Sequence, residues 1–309
     1  MQSVSFCFQK VKKDCLRFIK SQETTVDKFK NNEKLIKSFL IPLCFWISKK
    51  VNKKKPYFVG LAGGQGTGKT TISSLIKIIL IKYFKLKVFR ISIDDFYKTR
   101  KERINLSKRV HPMFLIRGVP GTHDINMMLR FFKKVKSKKF KRLKLPTFNK
   151  AIDDRFNKKH WYDLKNKPEV IIFEGWCVGA KAEKNSSLKK VINSMEKAKD
   201  QKQIWRNYVN NQLKSKYKNL YSQLNCLIYL KVKNFSLLQK WRLKQERKLW
   251  LRSKKNCKLK IMSRADVITF MQTYQRITQN MFRYMPKHAS IIFNLNANHQ
   301  IKTAVYRQK

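Results

Sequence analysis

Eight consecutive residues, Gly63-Gly64-Gln65-Gly66-Thr67-Gly68-Lys69-Thr70, fit the pattern G-x-x-x-x-G-K-[ST]. Glycines at these spacings let backbone N–H groups turn inward on phosphate oxygens, and the start of a following helix adds partial positive charge. Lys69 has the reach to meet the terminal phosphates, and the Thr70 hydroxyl, with Thr71 beside it, is placed to meet Mg2+. The apolar run Tyr57-Phe58-Val59-Gly60-Leu61 precedes the motif, and helically spaced apolar residues from Ile72 to Phe84 follow it. Strand, glycine loop and helix in this order predict a P-loop NTPase that takes ATP with Mg2+. An incidental lysine in a glycine loop would not need either flank.

Carboxylates recur where later strands should end. Ser92-Ile93-Asp94-Asp95-Phe96-Tyr97 closes a second apolar run, and in an open parallel sheet ligands collect beyond the carboxyl ends of strands. A carboxylate there, near Mg2+ and the phosphoryl group, can orient an alcohol and take its proton, a role that falls to Asp94. Asp95 is then a supporting partner or substrate ligand, together with Tyr97. The competing reading is that both aspartates cap the next turn. Val170-Ile171-Ile172-Phe173 runs into Glu174-Gly175-Trp176, so Glu174 stands where a carboxylate can hold Mg2+ through water or align the substrate. Thr70, Asp94 and Glu174 form the expected metal set.

Further along, Arg117-Gly118-Val119-Pro120-Gly121-Thr122-His123-Asp124 and Leu145-Pro146-Thr147-Phe148-Asn149-Lys150-Ala151-Ile152-Asp153-Asp154-Arg155 join Phe173 to Ala180, Trp205 to Asn210 and Lys240 to Glu246. Together with the P-loop and the Asp94 string, they resemble bacterial P-loop kinases grouped with plant-type D-glycerate 3-kinase. Uridine kinase, phosphoribulokinase and pantothenate kinase are more distant relatives. The resemblance covers nearly everything after about residue 40. It implies phosphoryl transfer from ATP to a hydroxyl of a small metabolite, D-glycerate first, with a nucleoside, a sugar phosphate or pantothenate as other acceptors.

Arg117, His123 and Asp124 supply a cation, an imidazole and an acceptor around a Gly-Pro-Gly turn, and Lys150 and Arg155 add cations suited to a carboxylate or phosphate. His123 has a plainer alternative as a turn or cap residue. In relatives, the region matching residues 234–260 forms a lid whose arginines close over the nucleotide, which implies a catalytic role for Arg242 and extends less firmly to Arg247. Arg242 and Glu246 are four apart on an expected helix and can pair. One departure stands out: relatives usually carry Asp where this chain has Asn149, and an amide cannot act as a base.

The elements that must hold these groups are five short apolar strands at Tyr57–Leu61, Val88–Ile93, Val170–Phe173, Cys226–Val232 and Ser290–Leu295, separated by helical stretches. That pattern predicts an α/β protein with a mainly parallel five-stranded sheet flanked by helices. Residues 1–55 have no strand signal and read as a helical extension packed on a kinase domain spanning 56–309.

The chain has 309 residues, 42% of them hydrophobic, which suits one sizeable core. Its 72 Lys and Arg against 18 Asp and Glu give a net charge of +54. That balance suggests a polyanion partner, and a nucleic-acid-binding ATPase is the rival of another class. The cations are spread along the whole chain, however, as codon drift in an AT-rich genome would leave them, so nucleic acid is the weaker reading. The stretch Phe131–Lys144 is the densest run and reads as a solvated helix end or loop. Six cysteines lack C-x-x-C spacing and read as thiols of a reducing compartment. The longest apolar run, Phe39 to Ile47, contains Pro42 and is too short to span a bilayer. With no apolar leader at the start, the cytoplasm is the expected location.

Overall fold

The computed structural model describes residues 2–24, 28–253 and 262–307. The end of the expected lid, 254–260, and with it Cys257, lies outside the described residues.

Strand β1 (Tyr57–Gly63) is buried along almost its whole length, as an unbroken apolar run requires when both faces of a sheet are covered. It lies between β7 (Val170–Gly175) and β8 (Cys226–Lys231), with β2 (Val88–Ser92) outside β7 and β9 (Ile291–Leu295) outside β8. All four of these pairings are parallel. In register, Glu174 stands opposite both Leu61 and Ser92. The carboxyl ends of β1, β2 and β7 are therefore level, and the loops that leave them meet along one edge.

The sheet has six strands rather than the five that the apolar runs predict. The sixth, β10 (Ile301–Tyr306), runs antiparallel to β9 and closes that side. Its sequence, Ile301-Lys302-Thr303-Ala304-Val305-Tyr306, breaks the apolar run with Lys302 and Thr303, as a half-solvated edge strand allows, and a lysine on an edge discourages further pairing.

One face of the sheet carries the P-loop helix (Lys69–Lys82). Its Leu75, Ile76, Ile79 and Leu80 share a core with Val59, Leu61, Ile172 and Ile228. The N-terminal helix (Gln2–Gln22) enters the same core through Cys7, Val11, Cys15 and Ile19, a four-residue spacing that makes one face of a helix apolar. Helix Ile41–Ser48 adds Leu43, Cys44 and Ile47. The opposite face holds Phe58, Phe96, Phe131, Phe132, Phe173 and Trp176 against helices Ile125–Lys136 and Arg264–His288. The five described cysteines are buried and form no disulfide with one another, and no helix among the described residues is long and apolar enough to cross a membrane.

Between helix Ile125–Lys136 and β7 lie two small antiparallel pairs. One joins β3 (Leu143–Leu145) to β6 (Tyr162–Leu164), so the lysine-rich stretch read as helix end or loop also contributes a short strand. The other joins β4 (Phe148–Asn149) to β5 (Asp154–Arg155). The turn of this second pair carries Lys150 and Asp153, the latter at φ 57°. Asn149 Oδ1 accepts the N–H of Ala151 at 3.0 Å. Holding a turn in this way is a task that Asn and Asp perform equally well.

Candidate active site

The loop after β1 is built to receive an anion. Gly66 and Gly68 have φ of 79° and 82°, and Gly68 starts the P-loop helix without any side-chain cap. The first-turn N–H groups of Lys69, Thr70 and Thr71 thus remain to be met by a ligand. Thr67 Oγ1 donates to Gly64 O at 2.9 Å and tightens the loop. Lys69 Nζ donates to the same carbonyl at 2.9 Å. Burial lowers the pKa of this ammonium, while the charges of Glu174 and Asp94 oppose the drop.

Helix Phe235–Ser253 forms a roof over the loop. A Cβ at Gly66 would lie 2.9 Å from Trp241 Cβ. Trp241 in turn stacks on His299 at 3.8 Å between ring centroids and donates from Nε1 to Ala297 O at 3.1 Å. The next residue, Arg242, pairs with Glu246 at 2.7 Å, the partner its four-residue spacing implied. Arg247 is exposed.

Thr70 Oγ1 donates to Glu174 Oε1 at 3.0 Å, which joins the P-loop to the end of β7. Burial raises the pKa of Glu174, with Lys69 opposing and Asp94 reinforcing the rise. Arg90, on β2, also reaches Glu174, at 3.4 Å. Its signal in the sequence is slight, a single cation inside an otherwise apolar strand.

At the end of β2 the two aspartates take different roles. Asp94 Oδ2 is 2.7 Å from Lys150 Nζ, and Oδ1 accepts the Tyr97 hydroxyl at 3.0 Å. Burial alone would push this carboxyl up, but the Lys150 ammonium, aided by the Tyr97 hydrogen bond, outweighs it and the pKa falls to about 2. Asp95 turns back, and its Oδ2 accepts the Ser92 N–H at 3.1 Å in a reciprocal cap of the short turn Ile93–Phe96. For Asp95 the capping alternative describes the geometry. Burial, with Asp94 and Glu174 nearby, raises its pKa to about 6 despite the Ser92 hydrogen bond.

The remaining wall comes from the segments around residues 117–124 and 149–155. Arg155 Nε donates to Tyr97 O at 2.7 Å and its Nη2 lies 3.4 Å from Asp124 Oδ2. Asp124 also caps helix Ile125–Lys136 by accepting Met127 N–H at 2.9 Å. Arg117 ion-pairs with Asp153 and lies over the Phe148 ring. Asp153 is shared with Arg103, which is fully buried, 2.9 Å away. His123 pairs with Tyr97 through the backbone and stacks on its ring at 4.5 Å, while His123 Nδ1 lies 2.7 Å from the Tyr217 hydroxyl. Arg103, Asp153 and Tyr217 were not among the residues singled out from the sequence. No short motif contains Tyr217, which joins the site only because helix packing brings it there.

Thus Lys69, Thr70 and Glu174 meet on one side, and Asp94, Tyr97, Lys150, His123, Asp124 and Arg155 on the other. The donor set suits Mg2+. A hydroxyl and a carboxylate already share a hydrogen bond at the foot of the phosphate loop. Among the described residues no cluster of three or more His, Cys, Asp or Glu could hold a metal alone.

This fold and this edge define a P-loop NTPase architecture. No family model matches the chain. It is similar to an uncharacterized kinase, mug58, of Schizosaccharomyces pombe, 27% identical over 233 residues, which cover 71% of this chain and 79% of that protein. It is likewise 27% identical over 226 residues to the chloroplastic D-glycerate 3-kinase of Arabidopsis thaliana, covering 67% of this chain and 47% of the plant protein, less than half its length. Among solved structures, D-glycerate 3-kinase from Cryptococcus neoformans superposes with a TM-score of 0.71 at 22% identity, over 87% of this chain and 97% of that one. The chain is therefore related in sequence to P-loop kinases and shares their fold.

Proposed function

We propose that this protein transfers the γ-phosphoryl group of ATP to a hydroxyl of a small anionic metabolite, with D-glycerate, the acceptor named for the Arabidopsis and Cryptococcus enzymes, as the first candidate. The observation that carries this reading is the position of Asp94. It is a carboxylate at a strand end, held by a phenol and an ammonium, on the same sheet edge as the phosphate loop and the Thr70–Glu174 pair.

In this reading the loop amides from Gly63 to Thr71 and Lys69 hold the phosphates, and Lys69 leaves Gly64 O to do so. Thr70 and Glu174, with Asp94 near, hold Mg2+, which neutralises charge on the phosphates and helps align them. Arg242, beside Gly66, faces the charge that develops on the transferring group. Lys150, Arg155 and Arg117 anchor the acid group of the acceptor. As Lys150 turns to that anion it releases Asp94 Oδ2, which then accepts the proton of the attacking hydroxyl.

The test is ADP release by the purified chain with ATP and Mg2+ against D-glycerate, uridine, ribulose 5-phosphate, pantothenate and RNA, with Lys69→Ala as blank. Stimulation by D-glycerate supports the proposal. Stimulation by another alcohol moves the acceptor, and stimulation by RNA alone overturns it.

A further inference from the structure

The imidazole of His123 is only 2% exposed, yet its Nε2 has no hydrogen-bond partner among the described residues. Its other nitrogen is well defined. Nδ1 lies 2.7 Å from the hydroxyl of Tyr217, a fully buried residue, and that same oxygen accepts the Gly121 N–H at 3.0 Å. Counting hydrogens around the phenol separates the two tautomers.

If the Tyr217 O–H points at Nδ1, the phenol accepts one bond and donates one, and the imidazole hydrogen sits on Nε2. If Nδ1 carried the hydrogen, the phenol would accept twice and its own O–H would find no acceptor among the described residues. The first arrangement leaves one buried polar group unmatched and the second leaves two. Each such group in a core carries a desolvation penalty, so the first is favoured. A neutral ring is consistent with the site, since burial lowers the His123 pKa to about 3.

We propose that Tyr217 locks His123 as the neutral Nε2–H tautomer, and that this hydrogen is a donor reserved for an oxygen of the acceptor substrate. The location supports it. His123 lies face to face with Tyr97, whose hydroxyl bonds Asp94 and whose carbonyl accepts Arg155. Lys150, Arg155 and Arg117 already bring positive charge to this side. A neutral donor adds direction without adding to that charge. It recognises a carboxylate or hydroxyl oxygen and penalises an acceptor whose matching position is apolar, because the N–H would then stay unpaired. His123 is thereby a specificity-determining residue. The inference rests on the small-acid acceptor proposed above.

The experiment is nitrogen-resolved NMR of the histidine rings in the full chain, with His123→Phe to assign the signal. In the ligand-free protein, Nε2 is expected to carry the hydrogen, and Tyr217→Phe is expected to abolish that preference. On adding D-glycerate the Nε2–H proton should move downfield, and with glycerol, which lacks the carboxylate, it should move less. In kinetics, His123→Phe keeps the ring stack but removes the donor. The KM for the acceptor should rise about 10- to 100-fold, the loss of a hydrogen bond to a charged group. The kcat and the KM for ATP should stay within about threefold, and His123→Gln should recover part of the loss. Should His123→Phe fail to fold, Tyr217→Phe carries the same test with the imidazole in place. Hydrogen on Nδ1 in the free protein, or an Nε2–H signal indifferent to an acceptor that the enzyme is turning over, overturns the proposal. If D-glycerate is not phosphorylated at all, the acceptor assignment falls. The tautomer is still decided in the free protein, and the donor role with whichever acceptor is used.

Discussion

Lys150 Nζ lies 2.7 Å from Asp94 Oδ2, across 56 residues of chain, so the proposed base is covered by the group that would bind the substrate's own charge. The pair has a definite sign in pH. Because the Asp94 pKa is lowered to about 2, its ionised form adds stability above the ordinary carboxylate range near 4. That contribution fades as pH falls through about 2. Lys150→Met should therefore destabilise the chain at pH 7, by about 1 kcal/mol once solvent screening of the exposed ammonium is allowed for. The deficit should vanish near pH 2. In kinetics the acid limb of kcat/KM should move up by about one unit or more, since the largest offset to the burial of Asp94 is then gone. An unchanged limb would separate Asp94 from the proton transfer.

Removing the phosphate ligand and removing the base should fail in different ways. Lys69→Ala is expected to lose at least about 10^3 in turnover, because the P-loop lysine serves both binding and charge stabilisation. Asp94→Asn keeps an acceptor for the Tyr97 hydroxyl and should bind ATP within about threefold of the parent while turnover drops by about 10^2 to 10^4. Nucleotide binding by fluorescence alongside ADP release distinguishes the two. Near-normal turnover in Asp94→Asn would reassign the base.

How far the sequence carried this picture depends on range. The P-loop, the Asp94 turn and Glu174 are each contained in a few residues at the end of an apolar run, so their type and position could be read locally. Five strands were legible for the same reason, whereas β10 was not, since Lys302 and Thr303 interrupt its apolar residues, as a half-solvated edge allows. What escaped depends on contacts between distant segments. Arg90 reaches Glu174 across the strands, Arg103 and Arg117 share Asp153, and Tyr217 meets His123 only after the helices pack. Asp95 marks a third limit. Its neighbour Asp94 made a ligand role plausible, but adjacent residues leave a turn in different directions, and Asp95 Oδ2 points back to Ser92.

Asp95 gives a second pH test, with the opposite sign. Its pKa is raised to about 6, so the folded state binds more protons than the unfolded one between about pH 4 and 6, and stability falls as pH rises through that window. Asp95→Asn retains an oxygen for the Ser92 N–H but no longer titrates. The difference in melting temperature, variant minus parent, should become more positive from pH 4.5 to pH 7.5. A flat or falling difference would mean that Asp95 ionises without strain.

The roof over the phosphate loop yields the last prediction. Gly66 has φ 79°, a region that costs an L-residue of order 1 kcal/mol or more, and a methyl group there would press on Trp241 Cβ at 2.9 Å. Trp241 is fixed from its other side by the stack on His299 and the bond to Ala297 O, so it cannot simply move away. Gly66→Ala must therefore shift either the loop or helix Phe235–Ser253, and both shifts move the cradle relative to Arg242. The expected result is a KM for ATP raised about tenfold or more with a modest loss of stability, about 1 to 2 kcal/mol. Gly66→Ala combined with Trp241→Ala, which keeps the Cβ but releases it from the His299 stack and the Ala297 bond, separates the causes. If crowding dominates, the second change restores part of the ATP affinity. If backbone strain dominates, it restores none, and the roof would not be what shapes the loop.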